Sequence, residues 1–182
     1  TYVDPFAGSV SAMSPNGRRA AGSGFFFPGG LYGEVFRHNV NTGALAWLGF
    51  VGTPHDIDNG WRMVGSTGAY PATGEAFLWT PAGGLNLLGD LPGGLDESEA
   101  RAIGANGQIV AGYGSSTIGR EAVVWTASGM ERLADKLSTT YGFTLPAGVR
   151  LLEVSAMTAD AKTLVGTASD GGVPVGFLLE LP

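Results

Sequence analysis

The sequence predicts an all-β fold assembled from repeated antiparallel units. Two properties of the composition favour this fold. Glycine supplies 31 of the 182 residues, well above its usual share of roughly 7%, and such an excess is typical of many tight turns between short strands. Apolar residues make up 44% of the chain. That fraction is enough for a buried core, so the glycine content does not indicate disorder.

The third observation is an internal repeat. The stretch GEAFLWT returns later as REAVVWT, so that Trp79 matches Trp125 and Glu75 matches Glu121. Extending the alignment in both directions gives four units within a single repeat domain that covers residues 1–182. The approximate bounds of the units are 9–50, 51–94, 95–137 and 149–182.

Each unit contains the same succession of strand signals. An apolar stretch leads into a turn, and Asn-Gly pairs at 16–17, 59–60 and 106–107 predict a two-residue hairpin there, because both residues tolerate positive φ angles. A third strand with alternating residues and a fourth short strand follow, but the last unit lacks the fourth strand. The second strand ends in a glycine in every unit, at Gly22, Gly65, Gly112 and Gly166.

One stretch departs from this succession. Ser128 and Glu131 have the spacing of a capping box, and Leu133 and Leu137 follow with a helical period. We therefore predict a short helix over residues 129–139.

The size of the units points to an architecture. Four-stranded units of about 40–50 residues are typical of β-propeller blades. One such sheet cannot bury both of its faces, whereas neighbours arranged in a ring can. The sequence therefore predicts a β-propeller of about four short antiparallel blades, with an open β-solenoid or a β-sandwich as the alternative.

Residues that recur in the units are interpreted as structural, and residues that break the repeat are better functional candidates. Glu34, Glu75 and Glu121 recur, so we expect their carboxylates to satisfy neighbouring backbone groups. Trp79 and Trp125 also recur and are expected to be buried wedges between adjacent units.

The segment EAFLWTPAGGLNLLGDLPGGLDESEARAIGANGQIVAGYG, residues 75–114, resembles the bacterial HAF-type extracellular repeat. The resemblance extends over almost the whole chain and is weakest over residues 24–50, and 175–177 depart from the usual Glu-Ala-Phe. The closing VGFLLELP is similar to the segment that precedes a Pro-Glu-Pro sorting signal in such proteins. The resemblance implies export to the cell surface or extracellular matrix after removal of a leader peptide, and it implies no set of catalytic residues.

An aromatic segment breaks the repeat in the first unit. Phe25, Phe26, Phe27 and Tyr32 stand in a connection where the other units have small and polar residues. An exposed aromatic patch of this kind would bind a glycan, such as a surface polysaccharide, or a protein partner. The alternative is an ordinary packed strand or loop.

Two acidic segments also break the repeat. Asp56 and Asp58 alternate before a glycine in HDIDNG, an arrangement that could ligate Ca²⁺ although the full twelve-residue calcium loop is missing. Asp96 and Glu97 belong to LDESEA, a second candidate for binding a ligand or partner. In both segments the alternative is a solvated turn, and the sequence predicts no cofactor other than this calcium ion.

The remaining features restrict the function. The chain has no cysteine and two histidines, and it lacks a G-x-S-x-G nucleophile motif. The net charge of −6 without a basic stripe argues against nucleic acid as a partner, and no apolar run is long enough to span a membrane. We expect an exported protein that acts by binding or self-assembly without catalysis. The alternative is a carbohydrate-active enzyme, a glycoside hydrolase or lyase, on a propeller scaffold.

Self-assembly is expected at the end of the chain. The three-strand last unit leaves a strand edge near residues 173–181, which carries no lysine and one charge, Glu180. Unpaired edges of this kind recruit strands from other molecules. The sequence thus predicts a homo-oligomer or filament, unless residues 1–6 cover the edge in the same chain.

Overall fold

The computed structural model describes residues 7–25, 33–68 and 74–182, and these residues form three antiparallel β-sheets. The first sheet has seven strands, arranged in the order of the chain. They are β1 (Ala7–Met13), β2 (Arg19–Phe25), β3 (Glu34–Asn39), β4 (Leu45–Ile57), β5 (Met63–Thr67), β6 (Ala76–Thr80) and β7 (Gly84–Leu87).

The second sheet has four strands and the third has three, again in chain order. They are β8 (Gly93–Gly104), β9 (Ile109–Ser116), β10 (Gly119–Thr126) and β11 (Gly129–Arg132), followed by β12 (Val149–Met157), β13 (Thr163–Asp170) and β14 (Val173–Glu180). The described residues also form one α-helix, α1 (Leu133–Tyr141), and a 3₁₀ turn at Ala105–Gly107. The all-β prediction is confirmed. Within the described residues, no helix is long and apolar enough to cross a membrane.

The first two predicted units share a strand, which is why three sheets are observed where four were predicted. The first half of β4 pairs with β3, from Leu45 to Val51, and its second half pairs with β5, from Gly52 to Ile57. The connection between these units is short and extended. Between the second and third units, Pro92 precedes β8 and cannot donate to a sheet ladder, so the strand is interrupted there.

The first strand of each unit is here called its lead strand: β1, residues 52–57 of β4, β8 and β12. The lead strands pack in succession, β1 on β4, β4 on β8 and β8 on β12. No sheet in the described ranges closes on itself. The units therefore follow one another as neighbours, each with its lead strand against the next.

The predicted hairpins form, but their turns are longer than two residues. Residues 14–18, 58–62, 105–108 and 158–162 connect the paired strands. Three of these turns are closed by a side chain and not by a tight Asn-Gly turn. The side chains of Ser14, Asp58 and Thr158 each accept the backbone N–H of the residue four or five positions later. The two-residue prediction was wrong for this reason.

Every lead strand carries a β-bulge at the same place, and the repeated glycine lies opposite it. The register shifts between Val10 and Ala12 in β1 and at the matching positions of the other three lead strands. A Cβ on the facing glycine would lie against the carbonyl oxygen of the residue just before the bulge. The four glycine–carbonyl pairs are Gly22 with Ser9, Gly65 with Thr53, Gly112 with Glu99 and Gly166 with Glu153.

The two recurring tryptophans occupy equivalent buried positions, as expected. Trp79 is 8% exposed and pairs with Met63, and Trp125 is 4% exposed and pairs with Val110. They belong to two different apolar clusters. Each tryptophan is therefore part of the core beside its own unit, which confirms their interpretation as buried wedges.

The recurring glutamates bind backbone in two of the three units. Glu34 accepts the N–H of Gly49 at 2.8 Å, and Glu75 accepts the N–H of Gly89 at 2.9 Å. Both glycines have positive φ angles, 76° and 79°, so they mark the same bend. In the third unit Glu121 instead accepts the guanidinium Nε of Arg132 at 2.9 Å, because this unit continues into α1.

The helix predicted over residues 129–139 is displaced towards the C-terminus. Residues 129–132 keep the fourth-strand pairing with β10, so α1 begins only at Leu133. The predicted capping box was wrong, because Glu131 lies in the strand and its carboxylate meets Lys136 and Thr139. Gly142, with φ 67°, ends the helix.

Candidate functional site

The turns that follow the lead strands border a cavity of about 160 Å³, here called the turn-end cavity. Met13, Ile57, Ile103 and Met157 hold the same register position in their lead strands and all line it. Residues from all four units therefore meet at this one place. A ligand bound in the cavity would contact every unit of the repeat.

Asp56 is one of two carboxylates that break the symmetry of the turn-end cavity. The matching lead-strand position is alanine in the other three units. Its Oδ2 accepts the backbone N–H of Ile103 at 2.9 Å, and its Oδ1 accepts that of Ile57 at 2.8 Å. Burial raises the pKa of this carboxyl, the two backbone hydrogen bonds oppose the rise, and the charge of Asp58 adds to it.

Asp58 lines the same cavity but is engaged in its own turn. Its Oδ1 accepts the backbone N–H of Gly60 at 2.6 Å and of Arg62 at 2.9 Å, and its Oδ2 pairs with Arg62 Nε at 2.6 Å. In the described ranges no group of three or more His, Cys, Asp or Glu side chains converges to hold a metal ion. Calcium binding at Asp56 and Asp58 stays a prediction.

A second group of polar side chains joins the lead strands of the second and third units. Glu99 Oε1 on β8 lies 2.7 Å from His55 Nε2 and 2.8 Å from Arg101 Nε. The Tyr113 hydroxyl lies 3.1 Å from Glu99 Oε2 and equally far from Glu97 Oε1. Since both carboxylates contact one hydroxyl oxygen, these two carboxylate oxygens are within about 6 Å of each other.

The same group reaches the fourth unit through Arg120. Its guanidinium carbon lies 3.7 Å from the centroid of the Tyr113 ring, a cation–π geometry. Its Nη1 donates to Glu153 Oε2 on β12 at 2.9 Å. We call this set of residues the inter-unit charge cluster: His55, Glu97, Glu99, Arg101, Tyr113, Arg120 and Glu153.

The electrostatics of the cluster favour an ionised glutamate beside a protonated phenol. Burial acts to raise the pKa of Glu99, but the hydrogen bond and charge of His55, with Arg101 and Tyr113, bring it below its ordinary value. Burial, together with Glu99 and Glu97, raises the pKa of Tyr113. The arrangement is a hydrogen-bonded ion-pair network that ties three units together.

The lowered pKa of Glu99 makes the stability of the fold depend on pH. Folding favours the ionised form, so the contribution of Glu99 is complete above its ordinary pKa of 4.5 and is lost as the pH falls through the lower folded-state value. We expect the difference in urea unfolding midpoint between the native protein and Glu99→Gln to narrow from pH 7 towards pH 3.

Asp96→Asn, an exposed carboxylate outside the cluster, serves as the control for this titration. A difference between the native protein and Glu99→Gln that stays constant across the whole pH range would contradict the assignment of Glu99 as the ionised centre of the cluster.

The structure separates the candidate residues predicted from sequence. Phe25 ends β2 and is half-buried, whereas Phe26, Phe27 and Tyr32 lie outside the described residues. Asp96 is exposed on β8, whereas the next residue, Glu97, joins the charge cluster through the Tyr113 hydroxyl. The aromatic and acidic candidates are thus not shown to form one site.

Most of the charge cluster was missed by reasoning from the sequence. Its signal lies in the positions of the lead strands where the second and third units differ from the first and fourth. His55 and Arg101 hold the bulge position that is serine in the first and fourth units, and Glu99 matches Thr53. Because every lead strand has its bulge at the same place, this asymmetry is already present in an alignment of the units without gaps.

The strand order and the repeated bulged hairpins define an all-β repeat protein. No family model matches the sequence, and no curated protein matches it. Solved structures do: TolB from Acinetobacter baumannii is 12% identical with a TM-score of 0.57, and its match covers 99% of this chain and 44% of that chain. A protein assigned as TolB from Agrobacterium tumefaciens is 13% identical with a TM-score of 0.63, over 98% of this chain and 60% of that chain.

These similarities concern the fold. The TolB structures are β-propellers, and the present chain matches them along nearly its full length while spanning about half of theirs. The β-propeller-like architecture predicted from the repeat is therefore supported by three-dimensional similarity.

Proposed function

We propose that the chain is an exported surface or matrix protein that acts by binding and self-assembly, without catalysis. The observation that carries the proposal is the free edge of the third sheet. Among the described residues β14 pairs with β13 on one side only. An unpaired strand offers its N–H and C=O groups to a further strand.

The side chains of this edge suit pairing with an apolar partner. Val173 and Leu178 are each 62% exposed, and Val175 is 39% exposed. The strand has a single charge, Glu180. Natural edge strands are usually protected by lysines, prolines, bulges or a covering element. β14 has neither lysine nor bulge, and its one proline, Pro174, is the second residue of the strand.

The proposal predicts association that depends on β14. We expect the native chain to sediment as concentration-dependent oligomers and a variant with Val173→Lys and Leu178→Lys to sediment as a monomer, because charges at an edge prevent strand addition. Leu95→Lys is the matched control, since Leu95 is 68% exposed but lies on β8. A monodisperse native monomer at high concentration would contradict self-assembly.

A monomeric native protein would have two explanations: residues 1–6 cover β14, or the edge of β14 does not recruit strands. Deletion of residues 1–6 distinguishes them. If this segment covers β14 within the same chain, its removal should promote association, and the two lysines should suppress it again. If deletion leaves the protein monomeric, the edge does not recruit strands and the assembly proposal is wrong.

Export is the second part of the proposal, and the resemblance to the HAF-type repeat supports it. Fractionation of cells that produce the native protein, with sequencing of the mature N-terminus, tests it directly. Recovery of the protein in the cytoplasm with an unprocessed N-terminus would overturn this part and leave the assembly proposal intact.

We also infer that the four units are four blades, with β4 contributing to two of them. The supports are the matching registers of the four bulged hairpins and the similarity to propeller structures. Small-angle scattering of the double lysine variant tests the inference, because a closed ring and an open row of sheets differ in radius of gyration.

A carbohydrate-active enzyme is the second candidate, and Asp56 is the observation that favours it. A carboxyl whose pKa is raised by burial in a cavity is suited to act as a general acid. If the chain cleaves a polysaccharide, Asp56→Asn should lower turnover by a factor of about 100 or more, while Asp96→Asn should retain it. A panel of polysaccharides without any turnover by the native protein excludes this candidate for the substrates tested.

A further inference from the structure

A groove of about 660 Å³ lies between the second and third units and is here called the central groove. The second unit contributes Leu78, Asn86 and Leu88, and the third contributes residues 107–110 and 125–128. The lining is mainly apolar. Its volume lies within the range of about 300–1,000 Å³ that is typical of small-molecule sites.

The interface between the first and second units shows what fills the equivalent space. There the guanidinium of Arg37 lies 5.3 Å from the ring centroids of both Trp61 and Trp79, and Arg19 lies 5.0 Å from that of Trp61. This stack of planar groups leaves a cavity of only about 210 Å³.

The repeat identifies the counterparts of these residues in the central groove. Trp125 matches Trp79 by register. Leu78 matches Arg37, since each pairs with the residue before the repeated glycine. Gln108 matches Trp61, since each follows the Asn-Gly pair.

The central groove therefore keeps a tryptophan, Trp125, at the position of Trp79. The two planar groups of the first interface, Arg37 and Trp61, are replaced. Leucine and glutamine stand in their places, and neither carries a guanidinium group or an aromatic ring that can stack on Trp125. The central groove therefore corresponds to the interface between the first and second units with its planar stack removed.

The interface between the third and fourth units is also filled from within the chain. Leu133 and Leu137 of α1 are buried in one cluster with Val124, Leu164 and Leu179. Val124 and Leu179 match Leu78 and Trp125 by register. In the central interface Leu78, Leu88 and Met130 pack against the cluster that contains Trp125. Among the described residues this interface has neither the planar stack of the first interface nor the helix of the third.

The wall of the central groove also contains an unsatisfied donor. Trp125 is 4% exposed, and its buried Nε1 has no hydrogen-bond partner in the described part of the chain. Buried indole N–H groups usually have an acceptor. An occupant that brings an acceptor would supply the missing partner.

We propose that the central groove binds a small planar aromatic molecule that carries a hydrogen-bond acceptor, stacked where Trp61 and Arg37 stack in the first interface. The site lies away from β14, so it is independent of self-assembly. The central groove shares no residue with the turn-end cavity or with the inter-unit charge cluster. The proposal therefore adds a ligand-binding site to the assembly surface at β14.

The test uses two probes of the same shape, quinoline with a ring-nitrogen acceptor and naphthalene without one. Titrations of the ¹⁵N-labelled 182-residue chain are followed on the indole N–H signals, at concentrations within the solubility of naphthalene. Trp125→Phe assigns the Trp125 signal and removes the donor while keeping a ring. We expect quinoline to shift the Trp125 signal and to bind about tenfold more tightly than naphthalene, a preference that Trp125→Phe abolishes.

A second variant fills the groove with the planar groups of the first interface. Leu78→Arg combined with Gln108→Trp should weaken quinoline binding at least tenfold. Lys162→Trp is the matched control, because Lys162 follows the turn of the fourth unit at the same position, is exposed and lies outside the groove. It should leave quinoline binding unchanged.

Three outcomes would overturn the proposal. The first is that neither probe shifts the Trp125 signal. The second is equal binding of the two probes, which removes the role of the acceptor. The third is a Trp125 signal that moves with protein concentration in the absence of probe, because the groove is then an interface with a second copy of the chain.

Discussion

Replacing Gly112 with alanine is expected to destabilise the protein by about 3 kcal/mol. The new Cβ would be forced against the backbone carbonyl of Glu99, on the lead strand that faces this glycine. A backbone oxygen cannot rotate away as a side chain can, so the bulge or the strand pairing must give way. Chemical denaturation with circular dichroism measures the effect.

Gly176→Ala is the control for this substitution. Gly176 lies in β14, and the nearest atom to its added Cβ is the carbonyl oxygen of Gly166 at 4.0 Å, an ordinary contact. We expect a change within about 0.5 kcal/mol. Comparable losses for Gly112→Ala and Gly176→Ala would show that strand glycines matter for flexibility and not for close approach to the bulge.

Replacing Trp79 or Trp125 with alanine is expected to cost about 3–5 kcal/mol in each case. Both side chains are buried between paired strands, and removal of an indole leaves a cavity that a β-sheet cannot collapse to fill. The loss for Trp79 also includes its contact with the guanidinium of Arg37. Urea unfolding monitored by far-ultraviolet circular dichroism gives both free energies.

Phe143→Ala provides an aromatic control for the tryptophan variants, since Phe143 is 47% exposed and follows α1. We expect its loss to be well below that of either tryptophan. Losses under 1 kcal/mol for both tryptophan variants would mean that these side chains are not part of the core.

Much of this architecture follows from the sequence, because the repeat exposes it. The pairing of the first two strands of each unit, the burial of Trp79 and Trp125, and the backbone bonds of Glu34 and Glu75 all follow from the rule that recurring residues maintain the unit. Each of these features depends on local residues or on the immediately neighbouring strand. A single sequence with four internal copies contains that information.

Other features depend on geometry that the repeat does not encode. The capping box at Ser128 and Glu131 was wrong because pairing with β10 holds residues 129–132 as a strand, and tertiary pairing prevails over local helix signals. The turn lengths were wrong because side chains of Ser14 and Asp58 close the loops.

The candidate site was predictable in part. Asp56 was identified because two carboxylates alternate before a glycine in HDIDNG, and the structure places it in the turn-end cavity. The partners of Glu99 come from β4, β9 and its own strand. Their convergence required the packing of one unit on the next, which pattern analysis of single strands does not supply.

The shared strand β4 has a consequence for how the molecule comes apart. Its 13 residues run without interruption from the last strand of one unit to the lead strand of the next, so neither unit can lose its pairing there without disturbing the other. Repeat proteins often melt one module at a time, because modules meet only at interfaces. We therefore expect the N-terminal half of this chain to unfold as one cooperative block of two modules. We expect partial opening to begin beyond Pro92, where successive modules share no strand and few backbone hydrogen bonds join them, such as those from Ser98 to Gly74 and from Ala105 to Ala159.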